Sequence, residues 1–343
     1  MNVVKKGLAF GMALMMAGSM AACAGGDTTW AAKAGDLTVP AGVYISQVMN
    51  AYYTVAAELP QDTKDPLKEQ IDGVLASDKM ISDAKANLNK FIAVEQKFNE
   101  LGLTMSDADT TLVNQMADSY WQYLGEAYQA NGISKDSYVM MTANDQKRQL
   151  IFNAIYGEGG SEAVPEQELK DKFYNDFAKI ILIPLNFSQS EDAEQKESDN
   201  KKAREIVDKY LKQAQAGKDM EEIVYEAQKE VTGNEELEKP EPGTSFSFLS
   251  KENTNYDQKV IDAVFGAENG VPTVVETESS IYLFQRYDIT ENENDFTSRK
   301  EALIQLLRAD EFNAKLDEWA AAVSGVTYND ASFKRYTPDK LKL

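Results

Sequence analysis

The run Gly157-Glu158-Gly159-Gly160 divides the chain into two hydropathy regimes, and that division constrains the fold more than any other feature of the sequence. Before it, apolar residues recur at helical spacing. Pro40 opens a segment carrying Ile45, Val48, Tyr52, Val55 and Leu59, which Pro60 stops. A second helix is expected from about Lys79 to Leu101, with Ala84, Leu88, Phe91, Phe98 and Leu101 on one face and Gly102 as its C-terminal cap. Ser106 caps a third, whose apolar row is Leu112, Met116, Tyr120, Leu124 and Tyr128, and Ser134 a fourth that reaches Ile151, Ile155 and Tyr156. Residues 40–163 thus read as a helical domain, preceded over 23–39 by a tether and a small hairpin whose strands flank Gly35-Asp36.

After the linker the pattern changes. Pro165 starts a short helix, and Phe177-Ala178-Lys179-Ile180-Ile181-Leu182-Ile183 is a β-rich run suited to a central strand. A polar stretch, 188–202, reads as a loop plus the solvated start of a helix that ends at Gly217, and a shorter helix follows from Met220. Residues 233–243, rich in glutamate and proline, read as a surface loop. Then come a strand at 246–249, a helix at 258–265, and two strands at 273–275 and 281–284. The expected class is therefore α+β: a compact βααβαββ domain over 164–290, and a helical domain completed by a long C-terminal helix within 291–343. That last helix, expected from Asp295, carries Leu303, Leu307, Phe312, Leu316, Trp319 and Val323, too apolar on one side to stand free.

Composition removes whole classes of chemistry. The chain has 56 acidic against 35 basic side chains, a formal charge of −21, and no local basic tract, which excludes nucleic-acid binding. It has no histidine, so imidazole acid–base chemistry, Ser-His-Asp and Cys-His nucleophiles and histidine zinc sites are all absent. Asp107-Ala108-Asp109 and the run Glu291 to Asp295 lack the spacing of a calcium loop and read as helix-terminal or solvated charges. No metal and no cofactor is expected. Trp30, Trp121 and Trp319 read as packing anchors.

The only cysteine, Cys23, follows Lys5-Lys6, an uncharged apolar stretch from Gly7 to Met20, and Ala21-Ala22. A basic start, a short apolar core and small residues before a cleavage point make a secretory signal over 1–22. Small residues directly before the cysteine resemble a bacterial lipobox, which implies lipidation of Cys23 and a chain tethered to the extracytoplasmic face of the cell membrane; the competing reading is an ordinary signal peptide with an incidental thiol. With no second cysteine the fold must be held by core packing alone.

Several phrases, in order, resemble the PrsA/SurA-type extracytoplasmic foldases with a PpiC-type parvulin domain. Lys179-Ile180-Ile181-Leu182-Ile183 matches the family's first strand, with Ile180 at its histidine position, and Ser280-Ile281-Tyr282-Leu283-Phe284-Gln285 matches the last, with Tyr282 at the second histidine position. Between them, Gly217-Lys218-Asp219-Met220, Gly243-Thr244-Ser245-Phe246-Ser247-Phe248, Val260-Ile261-Asp262-Ala263-Val264-Phe265 and Gly270-Val271-Pro272-Thr273-Val274-Val275-Glu276-Thr277 are similar to the family's turn, glycine pair, helix and proline–valine phrases. The resemblance implies a peptide or proline groove on Phe246, Tyr256, Val260 and Tyr282. It also implies clients that are unfolded or extended secreted polypeptides. Both histidines are replaced and the glycine pair is Gly243-Thr244. Prolyl isomerisation requires only that the twisted amide be favoured over a barrier of roughly 18–20 kcal/mol, so it does not strictly demand imidazole. Three function classes follow: a chaperone or foldase with a degenerate parvulin domain, an active peptidyl-prolyl isomerase, and a non-catalytic envelope scaffold or solute-binding lipoprotein. The solute-binding version requires repeated βαβ units around a cleft, which the sequence lacks.

The lipobox reading has a direct test. Cys23→Ser removes the thiol that takes the diacylglycerol, so the protein should leave the membrane fraction or remain unprocessed; a processed variant that still fractionates with membranes contradicts the reading.

Overall fold

A computed structural model describes residues 26–343; the segment 1–22 and Cys23, with their expected leader and lipidation, lie outside the described residues. Gly35, at φ 57°, makes the turn between β1 (Trp30–Ala34) and β2 (Leu37–Pro40). Pro40 ends the strand and presets the backbone for α1 (Ala41–Ala57). Next comes a hairpin that the apolar pattern did not announce, β3 (Gln70–Ile71) and β4 (Val74–Leu75), turned by Asp72 and Gly73 at φ 52° and 80°. It advances the start of α2 (Ala76–Glu100) by three residues relative to expectation.

The third helix, α3 (Asp107–Ala130), begins on a capping box in which Ser106 and Asp109 exchange side-chain and backbone hydrogen bonds. This accounts for Asp109, one of the acidic residues weighed above as a cation ligand. Then follow α4 (Lys135–Tyr156), α5 (Glu166–Asp176), β5 (Phe177–Asn186), α6 (Ala193–Gln215), α7 (Met220–Thr232), β6 (Ser247–Ser250), α8 (Gln258–Gly266), β7 (Thr273–Glu276) and β8 (Ser280–Tyr287). The expected single C-terminal helix is two, α9 (Glu293–Thr297) and α10 (Lys300–Ala322). The Thr297 hydroxyl donates to the Glu293 carbonyl and the Arg299 guanidinium to the Asp295 carbonyl, drawing backbone acceptors away at the break. Short elements β9 (Val326–Tyr328) and α11 (Asp330–Arg335) end the chain.

Two compact units result: the described residues up to Ile151 together with Asn313–Leu343, and Phe152–Phe312. The boundaries expected at 163/164 and 290/291 are therefore displaced to 151/152 and 312/313, and the cause is aromatic. The rings of Phe152 and Phe312 meet edge-on at 5.2 Å, and the Tyr156 hydroxyl donates to Glu311 at 3.0 Å. The end of α4 and the first half of α10 thus belong with the α+β unit, as do Leu303 and Phe312, which were expected to fill the helical domain.

In the helical unit, Tyr44, Val48, Ala51 and Val55 of α1 pack against Met80, Ala84, Leu88 and Phe91 of α2. Gly42 is the point of closest approach to α4, since a Cβ there would lie 2.5 Å from the Ser137 hydroxyl. A buried polar link joins α2 to α4: the Glu95 carboxylate accepts from Lys147 at 2.6 Å and from Asn144 at 2.9 Å. The returning residues of α10 add Lys90 to Asp317 at 2.6 Å and the Lys97 ammonium 5.0 Å from the Trp319 ring centre. β9 pairs antiparallel with β1, so the sheet order is β2-β1-β9.

The α+β unit has the expected order β-α-α-β-α-β-β and an antiparallel sheet β6-β5-β8-β7. Period-2 alternation sends Ile181, Ile183, Leu185, Ile281 and Leu283 to the face covered by α6 and α7, and Ala178, Ile180, Leu249 and Phe284 to the face covered by α8. β5 runs through Pro184 to Asn186, three residues past the expected end at Ile183. Its pairing with β6 stops at Ile180, so β5 is an edge strand by Pro184, where a missing N–H is tolerated.

Tyr44 is fully buried, packs 4.6 Å from Phe333, and its hydroxyl has no hydrogen-bond partner. Burial alone pushes this phenol up to about 12. Because the native pKa is raised, the unfolded state ionises first, and stability present below pH 10 is lost as pH rises toward 12. Tyr44→Phe should raise the stability of the protein at neutral pH by about 1 kcal/mol and flatten the alkaline decline. Thermal melts at neutral and alkaline pH check this; a lower Tm at neutral pH, or an unchanged alkaline slope, contradicts it.

Candidate functional site

The residues at the two former histidine positions share the α8 face of the sheet but not a common rim. Ile180 pairs with Arg286, four residues along β8 from Tyr282, a separation of about 13 Å at ~3.3 Å per residue. Ile180 is 2% exposed and forms part of the core under α8, whereas Tyr282 is half-buried and opposite Pro184. Tyr256 meets Tyr282 edge-on at 6.0 Å, and Val260 beneath them is fully buried. Tyr256, Val260 and Tyr282 are thus brought together, and only the two tyrosines present surface.

Phe246, the fourth residue of the expected groove, lies on the opposite face. It packs with the α6/α7 core, edge-on to Tyr287 at 4.9 Å, with the Lys179 ammonium 4.4 Å from its ring centre. Lys179 is in turn paired with Asp295 at 2.7 Å, both side chains being largely buried. Tyr287 is pushed up to about 12, by burial first and then by the nearby carboxylates of Asp219 and Glu221. This side is packed protein rather than a groove. The glutamate-rich loop before it is fastened: Gly243 N–H donates to Glu221, the Tyr225 hydroxyl to the Leu237 carbonyl, and Lys239 pairs with Glu222.

The helical unit holds a surface that apolar spacing points to but assigns to the wrong side. On α3 the expected core row is largely exposed: Leu112 45%, Met116 43%, Tyr120 54% and Leu124 37%, with Tyr123 beside it at 82%. The buried row is one residue further along: Val113, Ala117 and Gly125, with Trp121 half-buried among them. Gly125 exists for that indole, since a Cβ there would sit 2.8 Å from Trp121 Nε1. Trp121 then packs tilted against Tyr138 at 5.8 Å, and Tyr138 meets Tyr128 edge-on at 5.5 Å. An exposed apolar row of this length, rimmed by Asp107, Asn114, Gln115, Asp118 and Gln122, marks an interaction surface rather than a scatter of single residues.

The row leads into a cleft. Tyr128, one turn beyond Leu124, lines a cavity of roughly 390 Å³ together with Tyr138, Asn50, Asn87 and Asp145. Burial by the cleft walls pushes the Asp145 carboxyl above the usual carboxylate range, opposed in part by Arg148 one turn away. No sequence signal marks this site, because its polar residues come from α1, α2 and α4 with no local spacing to connect them.

The Lys179–Asp295 pair fixes how far the α+β unit extends. Asp295→Ala leaves a largely buried ammonium without its partner and should cost roughly 3 kcal/mol. Replacing both by apolar residues, Lys179→Met with Asp295→Leu, should recover most of the loss. Chemical denaturation measures both; an Asp295→Ala variant as stable as wild type contradicts the assignment of residues beyond 290 to this unit.

No family model matches the chain, and no curated protein matches it. Among solved structures it is similar to the foldase PrsA of Streptococcus pneumoniae, at 16% identity over 78% of this chain and 98% of that one, with a TM-score of 0.39. It is similar also to the foldase PrsA of Lactococcus lactis, at 13% identity over 90% and 99% of the two chains with a TM-score of 0.40. PrsA of Bacillus subtilis matches at 14% identity over 71% and 84%, with a TM-score of 0.35. These are likenesses of fold, at identities that leave function to the residues themselves.

Proposed function

We propose that this protein is an extracytoplasmic chaperone or foldase, held to the membrane through acylated Cys23, that binds unfolded segments of secreted polypeptides on the exposed row of α3. The observation that carries the reading is the row itself: Leu112, Met116, Tyr120 and Leu124 stay 37–54% exposed on a helix that buries only the adjacent stripe of Val113, Ala117 and Gly125. Each of these side chains is already about half covered, so a client that covers the rest contributes about 1 kcal/mol per side chain, roughly half of the value for full burial. Three or four together give about 3–4 kcal/mol before the entropy of ordering the client is subtracted, so one client segment is held weakly and reversibly. A row that winds slowly around the helix at four-residue steps suits a succession of apolar side chains without selecting a particular sequence.

The isomerase alternative has the Tyr256–Tyr282 pair in its favour, as an apolar surface that fits a proline ring. Against it, the first histidine position is a buried isoleucine, so no preorganised donor stands there to favour the twisted amide. Turnover of a proline peptide should be near the uncatalysed rate.

The test uses the protein in lipid nanodiscs and an unfolded secreted enzyme as client. Leu112→Ser, Met116→Ser and Tyr120→Ser combined should leave the helical circular dichroism unchanged, because these side chains are exposed, and should abolish most of the suppression of aggregation. Tyr256→Ala should leave suppression intact. Undiminished suppression by the triple variant contradicts the proposal. So does a wild-type dimer that the triple variant converts to monomer with unchanged suppression, since the row would then be an interface between copies.

A further inference from the structure

We propose that the cleft at the end of the α3 row receives a basic side chain, lysine or arginine, of the bound polypeptide, seated against the Tyr128 and Tyr138 rings and the Asp145 carboxylate. This rests on the reading that α3 binds unfolded chain, and adds to it the class of segment preferred: apolar residues followed by a basic one.

Several polar groups of the cleft are already engaged. Of the cations that line it, Lys90 is held by Asp317 at 2.6 Å and the Arg148 guanidinium donates to Asn313 at 2.7 Å. Asn144 is turned inward to the Phe91 carbonyl and Glu95. The Asp145 carboxylate has no hydrogen bond and no ion pair among the described residues; its electrostatic neighbours are Arg148 and Tyr138. It is a solvent-exposed anion on the cleft wall, without a partner of its own, so a cation brought in with the ligand meets a free carboxylate beside two aromatic rings.

The walls fit the stem as well as the head of such a side chain. Tyr128 and Tyr138 give apolar and π surface that attracts a lysine or arginine within ~6 Å, worth more when water is excluded. Gln47, Asn50 and Asn87 also line the cleft, and their amides have no partner among the described residues. A side-chain amide offers a donor and an acceptor together, which matches the peptide units on either side of the inserted residue. The direction of travel is set by α3: each four-residue step turns the row by about 40°, so from Leu112 through Leu124 it winds around the helix until Tyr128 stands half-buried at the cleft. At long range, the formal charge of −21 draws basic segments toward the protein and repels acidic ones.

The experiment compares two fluorescent apolar peptides that differ at one position, arginine in one and its neutral isostere citrulline in the other, by anisotropy with the nanodisc-bound protein. Wild type should bind the arginine peptide about tenfold more tightly, the effect of one charge-assisted hydrogen bond. At an ionic strength that screens the long-range field, Asp145→Asn, a nearly isosteric change, should remove most of that preference, lowering the affinity of the arginine peptide far more than that of the citrulline peptide. Equal wild-type affinity for the two peptides overturns the proposal whatever the variant does, as does an Asp145→Asn protein that keeps the preference. The α3 triple serine variant separates the two readings. Loss of both peptides there, with the arginine preference of wild type absent, sinks the cleft alone; affinities unchanged by the triple variant sink the α3 reading.

Discussion

The antiparallel pairing of Ala32–Ala34 with Val326–Tyr328 is the constraint on which the rest of the fold depends. It makes β1 the central strand of a sheet whose outer strands come from opposite ends of the described chain. Side chains reinforce the join: the Asn329 amide donates to the carbonyls of Asp27 and Trp30, and the Ser332 hydroxyl donates to Trp30 as well. Both residues are buried, so breaking the join would strand polar groups without water. Everything between must leave this unit and return to it, which makes the α+β unit an insertion in the sequence of the helical one. The entropy of closing so long a loop grows only with the logarithm of its length, so the short sheet and the packing of Leu316 and Trp319 are sufficient to hold it.

Within that frame the helical unit buries α3 by its small residues and leaves its large ones in water. A helix that packed Leu112, Met116, Tyr120 and Leu124 inward would gain several kilocalories per mole of apolar burial. This one instead packs Val113, Ala117 and Gly125, and recovers stability through Trp121 and its contacts with Tyr128 and Tyr138. The exposed row is thus sustained by its neighbour. The α+β unit shows the opposite economy: the residues expected to form a groove are divided between its two faces, and the former histidine positions are core and rim of one face only.

How much of this was legible in the sequence depends on how local each signal is. The order of elements in both units follows from periodicity and from glycine and proline punctuation, and the fold class with it. β9 was not legible, because three residues after a long helix have no pattern of their own and are strands only through a partner nearly the whole chain away. The α3 row was found but turned inward, since hydropathy scores Leu112 and Tyr120 above Ala117 and Gly125 and cannot see that the smaller row allows closer packing. Phe246 joins Tyr256 only through the family resemblance, and strand parity gives no check on a residue just outside β6. The cleft was invisible for a different reason: Asn50, Asn87 and Asp145 are ordinary surface residues until three helices bring them together.

The central claim is that client chain lies on α3 and not on the sheet of the α+β unit. Site-specific photo-crosslinking measures this directly, with a photoreactive phenylalanine analogue placed at Tyr120 or Tyr123 on the row, or at Tyr256 or Tyr282 on the sheet face, and an unfolded secreted protein added. The account predicts client adducts at the first two positions and none above background at the second two. Adducts confined to Tyr256 and Tyr282 would contradict it.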